Sequence, residues 1–300
     1  MMDRRAFTRR GIFAAITLGF SQTGLTATGR LFGGLPASLQ SLEKTNDCRI
    51  GVNVLDTATG EQSGYRANER FAMCSTFKML LAAAVLQRVD RGKEQLDRSV
   101  AIPKSSLVPF SPVSEPQAGG ILPISTMCEA IITQSDNTAA NLLLETIGGP
   151  QGLTAFARTL GDRVTRLDRT ETSLNEATPG DPRDTTAPAS MTGNLHRLLL
   201  EDTLSKTSRA LLTQWMVSNT YGSTRLRSSL PQGWRAGDKT GANGTTTTND
   251  IAVYWPVGHA PVLVSAYLTE CPGPDSRRNE ILASVGRLVI GAVQAGTKAP

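Results

Sequence analysis

Ser75 and Lys78 stand three residues apart in Ser75-Thr76-Phe77-Lys78, at the opening of a run that reads as a buried helix. At that spacing a hydroxyl and an amine share one helix face, and the helix N-terminus supplies positive potential that stabilises an oxyanion or lowers the amine's pKa. That is a geometry for an activated serine nucleophile. By itself the pair is weak: Ser41-Leu42-Glu43-Lys44 has the same spacing, and a serine N-cap beside a snorkelling lysine accounts for either one. Ser135-Asp136-Asn137 falls at a break between two predicted helices, where a hydroxyl and an amide can point into a cleft. Lys239-Thr240-Gly241 opens or lies on a strand-like segment, whose glycine lets a ligand or a neighbouring backbone come close. Each tripeptide on its own reads as a helix cap or a polar strand end. The histidines are His196 and His259, neither in metal-ligand spacing nor near a Gly-x-Ser-x-Gly elbow. Both read as surface residues, so a Ser-His-Asp triad stays open only formally and a zinc hydrolase is set aside. Acid–base work falls to Lys, Glu, Asp or Tyr, and no metal or cofactor is expected.

These groups need elements to hold them. Arg49–Asp56 alternates apolar and polar residues at period two; residues 57–60 supply a turn before 61–65, so a hairpin is predicted. Residues 76–89 are apolar on most sides and end at Asp90-Arg91-Gly92, a buried helix with a glycine stop. Thr126-Met127-Cys128-Glu129 has the form of a capping box ahead of another helix, and 138–147 is a third, closed by Gly148-Gly149-Pro150. Further helices are predicted over 153–160, 191–201 and 208–217. Residues 250–255 and 262–268 are rich in β-branched and aromatic types, and 280–290 returns to helical spacing. The expected fold is α/β (α+β): one antiparallel sheet built from both chain ends and flanked by helices, with an all-helical domain inserted. The domain boundaries follow as 37–72 with 218–296, and 73–217. A long connection, 162–188, interrupts the helical part, and a loop of that length in a compact domain is functional or disordered. Within it Arg169 and Asp184 either tie the loop's ends together or are two solvated charges.

Composition bounds the rest. With 300 residues, 39% hydrophobic and 19% charged, the chain is an ordinary globular sequence of one or two domains. The formal charge of +5 is concentrated at the start. Residues 1–30 hold five basic side chains (Arg4, Arg5, Arg9, Arg10, Arg30) and one acid (Asp3), which leaves 26 basic against 25 acidic beyond them. Near neutrality there argues against a nucleic-acid partner. The basic start precedes an apolar run from Gly11 to Phe20 that is too short to span a bilayer, so it reads as a signal peptide cleaved near Ala27. Arg4-Arg5-Ala6-Phe7 also resembles a twin-arginine signal. Periplasmic or secreted location, no stable membrane partner after signal removal and a monomeric state are the corresponding expectations. Cys48, Cys74, Cys128 and Cys271 are too few for a disulfide framework; one bridge is possible in an oxidising compartment, with no pairing fixed.

In the order Ser75-x-x-Lys78, Ser135-Asp136-Asn137, Lys239-Thr240-Gly241, the three motifs resemble the set shared by penicillin-binding proteins and class A β-lactamases. Within the long loop, Glu171-Thr172-Ser173-Leu174-Asn175 resembles the E-x-x-L-N signature of class A β-lactamases. Met73 to Lys78, Pro109-Phe110-Ser111-Pro112-Val113, Gly180-Asp181-Pro182-Arg183-Asp184-Thr185-Thr186 and Gly237-Asp238-Lys239-Thr240-Gly241 are similar to class A segments at family-like intervals. The resemblance covers nearly all of the chain after the signal.

What it implies is an enzyme that opens a small-molecule substrate, a β-lactam, through an ester on Ser75. Lys78, or Glu171 through a water, takes the Ser75 proton; both stay open. Backbone N–H groups of Ser75 and Ala242 form the oxyanion hole, Ser135 passes a proton to the leaving nitrogen, and Glu171 with Asn175 activates water against the ester. Asn137 binds the substrate's side-chain amide; Lys239, Thr240 and Arg225, with Gly241 between strand and substrate, receive its carboxylate. Phe110 is either an aromatic wall of the cleft or loop packing, and Arg169 and Asp184 become the loop clamp. Two departures from the family limit substrate range. Cys74 precedes the nucleophile as in some carbapenem-hydrolysing relatives, but the position of their partner cysteine after Lys-Thr-Gly is Asn243 here, so that bridge cannot form, and Ala242 has no hydroxyl. Carbapenemase activity is therefore not expected. A DD-peptidase or transpeptidase would not need Glu171, and a non-catalytic penicillin sensor would acylate without turning over.

Overall fold

The computed structural model describes residues 30–297 of the protein; the segment read as an export signal, with Arg4, Arg5, the run from Gly11 to Phe20 and Ala27, lies outside them. Five antiparallel strands make the main sheet: β1 (Arg49–Asp56), β2 (Gln62–Tyr65), β7 (Arg235–Ala242), β8 (Thr248–Trp255) and β9 (Val262–Thr269), in the order β2-β1-β9-β8-β7. Strands from both chain ends thus share one sheet, and the register pairs Val52 with Ala266 and Lys239 with Ile251. Helices α1 (Leu35–Asn46) and α8 (Asp275–Thr297) bury Leu35, Leu39, Leu282 and Val285 with Val52, Ala252 and Val264. Ile251, Val253 and Leu263 instead join a second core with the helical middle of the chain. Neighbouring strand residues alternate between the two cores, as pleating requires, and β9 is buried throughout because neither face meets water.

The helical middle is built on α2 (Phe77–Asp90), in which every residue from Phe77 to Leu86 is buried. A helix apolar all round belongs in a centre, and around it stand α3 (Ile124–Thr133), α4 (Asn137–Thr146), α5 (Gly149–Thr159), α6 (Pro188–Leu199) and α7 (Lys206–Val217). Two short pairs were not read from the sequence. One joins β3 (Phe71–Ala72) to β6 (Thr185–Thr186), the other β4 (Ser99–Ala101) to β5 (Ile121–Pro123).

Several helix starts differ from expectation. The capping box at Thr126 is not used: α3 begins at Ile124 straight after Pro123, whose fixed φ suits a helix entrance, and Thr126 lies inside the first turn. Gly148 and Gly149, at φ 91° and 72°, both end α4 and open α5 four residues before the expected start, with Pro150 in its first turn. Pro188 likewise starts α6 ahead of Met191. One disulfide is present, Cys48–Cys271, a pairing that the sequence did not fix, and Cys74 and Cys128 are free and buried. His196 pairs with Glu201 at the surface (2.8 Å), whereas His259 Nε2 lies 3.0 Å from the buried Asp56 carboxylate.

Candidate active site

Ser75 lies in a single 3-10 turn, Cys74–Thr76, that runs directly into α2. One helical turn on, Lys78 returns its amine to the serine: Nζ donates to Ser75 Oγ at 3.0 Å. The same Nζ reaches Ser135 O (2.8 Å), Ser135 Oγ (3.4 Å) and Asn137 Oδ1 (2.6 Å), and ion-pairs with Glu171 Oε1 at 3.0 Å. Lys78 is fully buried, and burial drives its pKa down against the opposing pull of the Glu171 carboxylate. Five oxygens around three N–H bonds make it a junction through which a proton can pass in more than one direction.

Ser135 occupies the break between α3 and α4 at φ 56°, an unusual conformation for a side chain with a Cβ. Asp136 holds that break. Its carboxylate caps α4 through Ala139 N–H (2.8 Å) and accepts from Val113 N–H, Ser114 N–H and Ser114 Oγ at 2.8–2.9 Å. Asn137 then sends Nδ2 to Pro109 O (2.8 Å) and its backbone N–H to Phe110 O (3.0 Å), so the loop bearing Phe110 is pinned beside it. From the sheet side, Lys239 on β7 donates to Ser135 Oγ (3.2 Å) and Thr240 O (2.9 Å). Its pKa is pushed down to about 7, first by burial and then by the like charge of Lys78.

Glu171 comes from the long loop. Its Oε1 accepts from Ser75 Oγ at 3.4 Å, and Oε2 accepts from Asn175 Nδ2 at 2.6 Å. Asn141 on α4 grips the Glu171 backbone twice, Nδ2 to O (2.9 Å) and Oδ1 from N–H (2.8 Å). The loop is tied at its neck: Arg169 Nε donates to Asp184 Oδ2 (2.6 Å), and Asp184 Oδ1 accepts from the Asp168 and Arg169 N–H groups (2.8 and 2.9 Å). Asp184 O also accepts from Met73 N–H (2.9 Å), and β3–β6 pairing follows beside it. The stretch leading to Ser75 and the loop carrying Glu171 are thereby one hydrogen-bonded unit.

The β7 end approaches the serine through Gly241, where a Cβ would sit 2.8 Å from Met73 O and 3.1 Å from Ser75 N. Only glycine allows that contact, and it brings the next residue, Ala242, alongside the Ser75 turn. Thr240 is buried on the same strand. Arg225 turns its guanidinium to Gly241 O (3.1 Å), Asn249 O (2.9 Å) and Asn279 Oδ1 (2.8 Å). Phe110 and Tyr221, both exposed, meet with ring centres 6.0 Å apart. An open cleft of about 670 Å³ is lined by Phe110, Asn137, Asn175, Glu176, Ala242 and Asn243 among others. Asn243 Oδ1 accepts from the N–H groups of Thr245, Thr246 and Thr247, and Cys74 is a free, buried thiol.

Ser75, Lys78, Ser135, Asn137, Glu171, Asn175, Lys239 and Ala242 are thus brought together around this cleft, with Arg169 and Asp184 at the neck of its loop, whereas His196 and His259 lie elsewhere. Asn141, Tyr221, Asn249 and Asn279 were missed. Asn141 alone had a signal, lying four residues after Asn137 and so on the same helix face.

Comparison with known proteins gives a consistent answer. Residues 35–293 match the β-lactamase enzyme family. The chain is 45% identical over 278 residues to Beta-lactamase Toho-1 of Escherichia coli, covering 93% of this chain and 94% of that one. It is 43% identical over 268 residues to Beta-lactamase OXY-2 of Klebsiella oxytoca, covering 88% and 92%. A solved structure of the ancestral (GNCA) class A β-lactamase superposes with a TM-score of 0.84 at 58% identity, over 86% of this chain and 99% of that one.

Proposed function

The chain belongs to the β-lactamase enzyme family, in class A, and from that premise we propose how it hydrolyses β-lactam antibiotics, penicillins and cephalosporins, and so confers resistance to them. Ser75 Oγ attacks the lactam carbonyl carbon while its proton leaves to Lys78 Nζ, or to Glu171 by way of a water; both carriers stand within reach of the hydroxyl. The N–H groups of Ser75 and Ala242 stabilise the oxyanion, a device whose single donors are worth about 10²–10³ in rate. As the C–N bond breaks, Ser135 delivers a proton to the nitrogen and is resupplied from the Lys78–Lys239 pair. Glu171, held by Asn175 and relieved through Lys78 of any proton it took during acylation, then takes a proton from a water that attacks the ester; the ester C–O bond breaks and Ser75 Oγ takes back a proton through Lys78. Lys239, Thr240 and Arg225 receive the substrate carboxylate, Asn137 its side-chain amide, and Phe110 walls the cleft.

The observation that carries this reading is a single hydroxyl, Ser75 Oγ, within 3.0 Å of a buried amine and 3.4 Å of a loop carboxylate. A separate carboxylate for the second half-reaction is what turns an acylated protein into a hydrolase. Mass spectrometry of Glu171→Ala beside the wild type, each mixed with a penicillin, tests it. The expected result is a persistent Ser75 adduct in the variant and rapid clearance in the wild type. No adduct on Ser75 in either protein overturns the scheme.

We infer in addition that the enzyme acts as a monomer in the periplasm or outside the cell. The basic N-terminal segment with its short apolar run supports export, and among the described residues no helix is long and apolar enough to cross a membrane.

A further inference from the structure

Gly241, Asn249 and Tyr267 form one row across three adjacent strands, Asn249 lying opposite Gly241 on one side and Tyr267 on the other. All three meet the turn that carries Ser75. Gly241 gives the turn room, since a Cβ there would collide with Met73 O. Asn249, fully buried, sends Nδ2 to both Ala72 O (2.9 Å) and Met73 O (3.0 Å) and fixes its own amide by accepting from Leu268 N–H (3.3 Å). Tyr267 OH lies 3.3 Å from Thr76 Oγ1, which itself donates to Met73 O at 2.8 Å. The carbonyls of residues 72 and 73 are thus held from outside the turn, which fixes the peptide planes up to the Cys74 N–H; the Ser75 N–H lies in the next plane, and its direction follows from that anchored one across the Cys74 φ of 44°.

We propose that this row is a cradle that aims the Ser75 N–H at the oxyanion, with Asn249 as its positioning residue. The inference rests on the Ser75 reading above and deepens it: Asn249 touches neither substrate nor reacting atom and acts through the orientation of residues 73–75. Cys74 at φ 44° makes such support necessary, because a side-chain-bearing residue keeps that conformation only when its surroundings impose it. The Asn249 carbonyl also accepts from Arg225, so the same residue joins the carboxylate-binding side of the cleft to the nucleophile turn.

Asn249→Ala is the direct test, read below its melting temperature by rapid-mixing kinetics with a penicillin and by inhibition with a phenylboronic acid, whose tetrahedral serine adduct places an oxygen in the hole. The acylation rate constant is expected to fall about 10- to 100-fold, and the boronic acid to weaken by a similar factor. The dissociation constant of the initial penicillin complex should move far less. A variant that only loosened the fold would not move those first two readouts together while sparing the third. If alanine leaves the protein unfolded, Asn249→Leu, which keeps the volume, takes its place. As a spectroscopic check, the ester carbonyl stretch of the trapped adduct in a Glu171→Ala background should shift to higher frequency when Asn249 is replaced. Acylation and boronic acid inhibition within twofold of wild type in a folded variant overturn the proposal. Absence of any Ser75 adduct in the wild type overturns the parent reading instead, and this one with it.

Discussion

Lys239 is the residue whose charge state most directly links the fold to binding. Burial and the neighbouring Lys78 charge bring its pKa to about 7, so the ammonium proposed above to receive a substrate carboxylate is full at acid pH and drains away above neutrality. For an anionic β-lactam, kcat/KM should therefore fall on an alkaline limb that begins near pH 7, mainly through KM and by up to about tenfold per pH unit. An arginine stays charged throughout. In Lys239→Arg the limb should move upward even if the maximum is lower, and a limb that stays in place would remove Lys239 from this role. The same shift works on stability in the other direction. The unfolded chain holds the proton up to 10.5 and the folded chain releases it near 7, so the unfolded state binds more protons within that window. The fold accordingly gains stability as pH rises through it.

In the proposed mechanism the long loop is the element on which turnover depends. Its clamp is strong because Asp184 is buried and accepts from two backbone N–H groups besides the Arg169 side chain. Arg169→Ala leaves that carboxylate without its cation and should cost about 3 kcal/mol by thermal or denaturant unfolding. Because Glu171 rides on the loop, deacylation should slow more than acylation, by about 100-fold for a displacement near 1 Å. Equal losses in both half-reactions would mean the clamp supports the Ser75 turn alone, through the Asp184–Met73 bond. The motifs of this site were legible because each sits at an element end, where a few consecutive residues carry a local signature: serine before a helix, an Asx cap, a glycine on a strand. Arg169 and Asp184 could not be told from solvated charges by spacing, since their meaning lies in burial. Asn249 was invisible for a related reason. Its partners are 176 and 177 residues away in sequence, and nothing in Thr247-Thr248-Asn249-Asp250 marks one amide as structural. The unread short pairs, β3–β6 and β4–β5, are two or three residues long, below the length at which periodicity can register.

At the scale of the whole molecule the sheet is the frame, and its two outermost contributions in sequence are fastened together. Cys48, just before β1, is bonded to Cys271, just after β9, across a sequence separation of 223 residues. Hydrogen bonding of β1 to β9 already aligns those ends, so the covalent link adds little order to the folded chain and acts on the unfolded one. Closing a loop of that length removes conformational entropy worth about 5 kcal/mol in the chain-entropy account. For a protein of this size that corresponds to a melting temperature roughly 10 °C lower on reduction. The bond lies at the same end of the sheet as Ala242, since Ile50, Leu268, Thr248 and Ala242 form one row, but β8 stands between it and β7, and neither cysteine is bonded to the Ser75 cluster. A Cys48→Ala/Cys271→Ala protein should therefore melt lower than the wild type while keeping its kcat/KM at 25 °C. Adding a thiol reductant should lower the wild-type melting temperature toward that of the variant and leave the variant's own unchanged. Coincident melting curves with and without reductant would mean that β1–β9 pairing alone closes the frame, and that the compartment in which the enzyme works places no demand on these two residues.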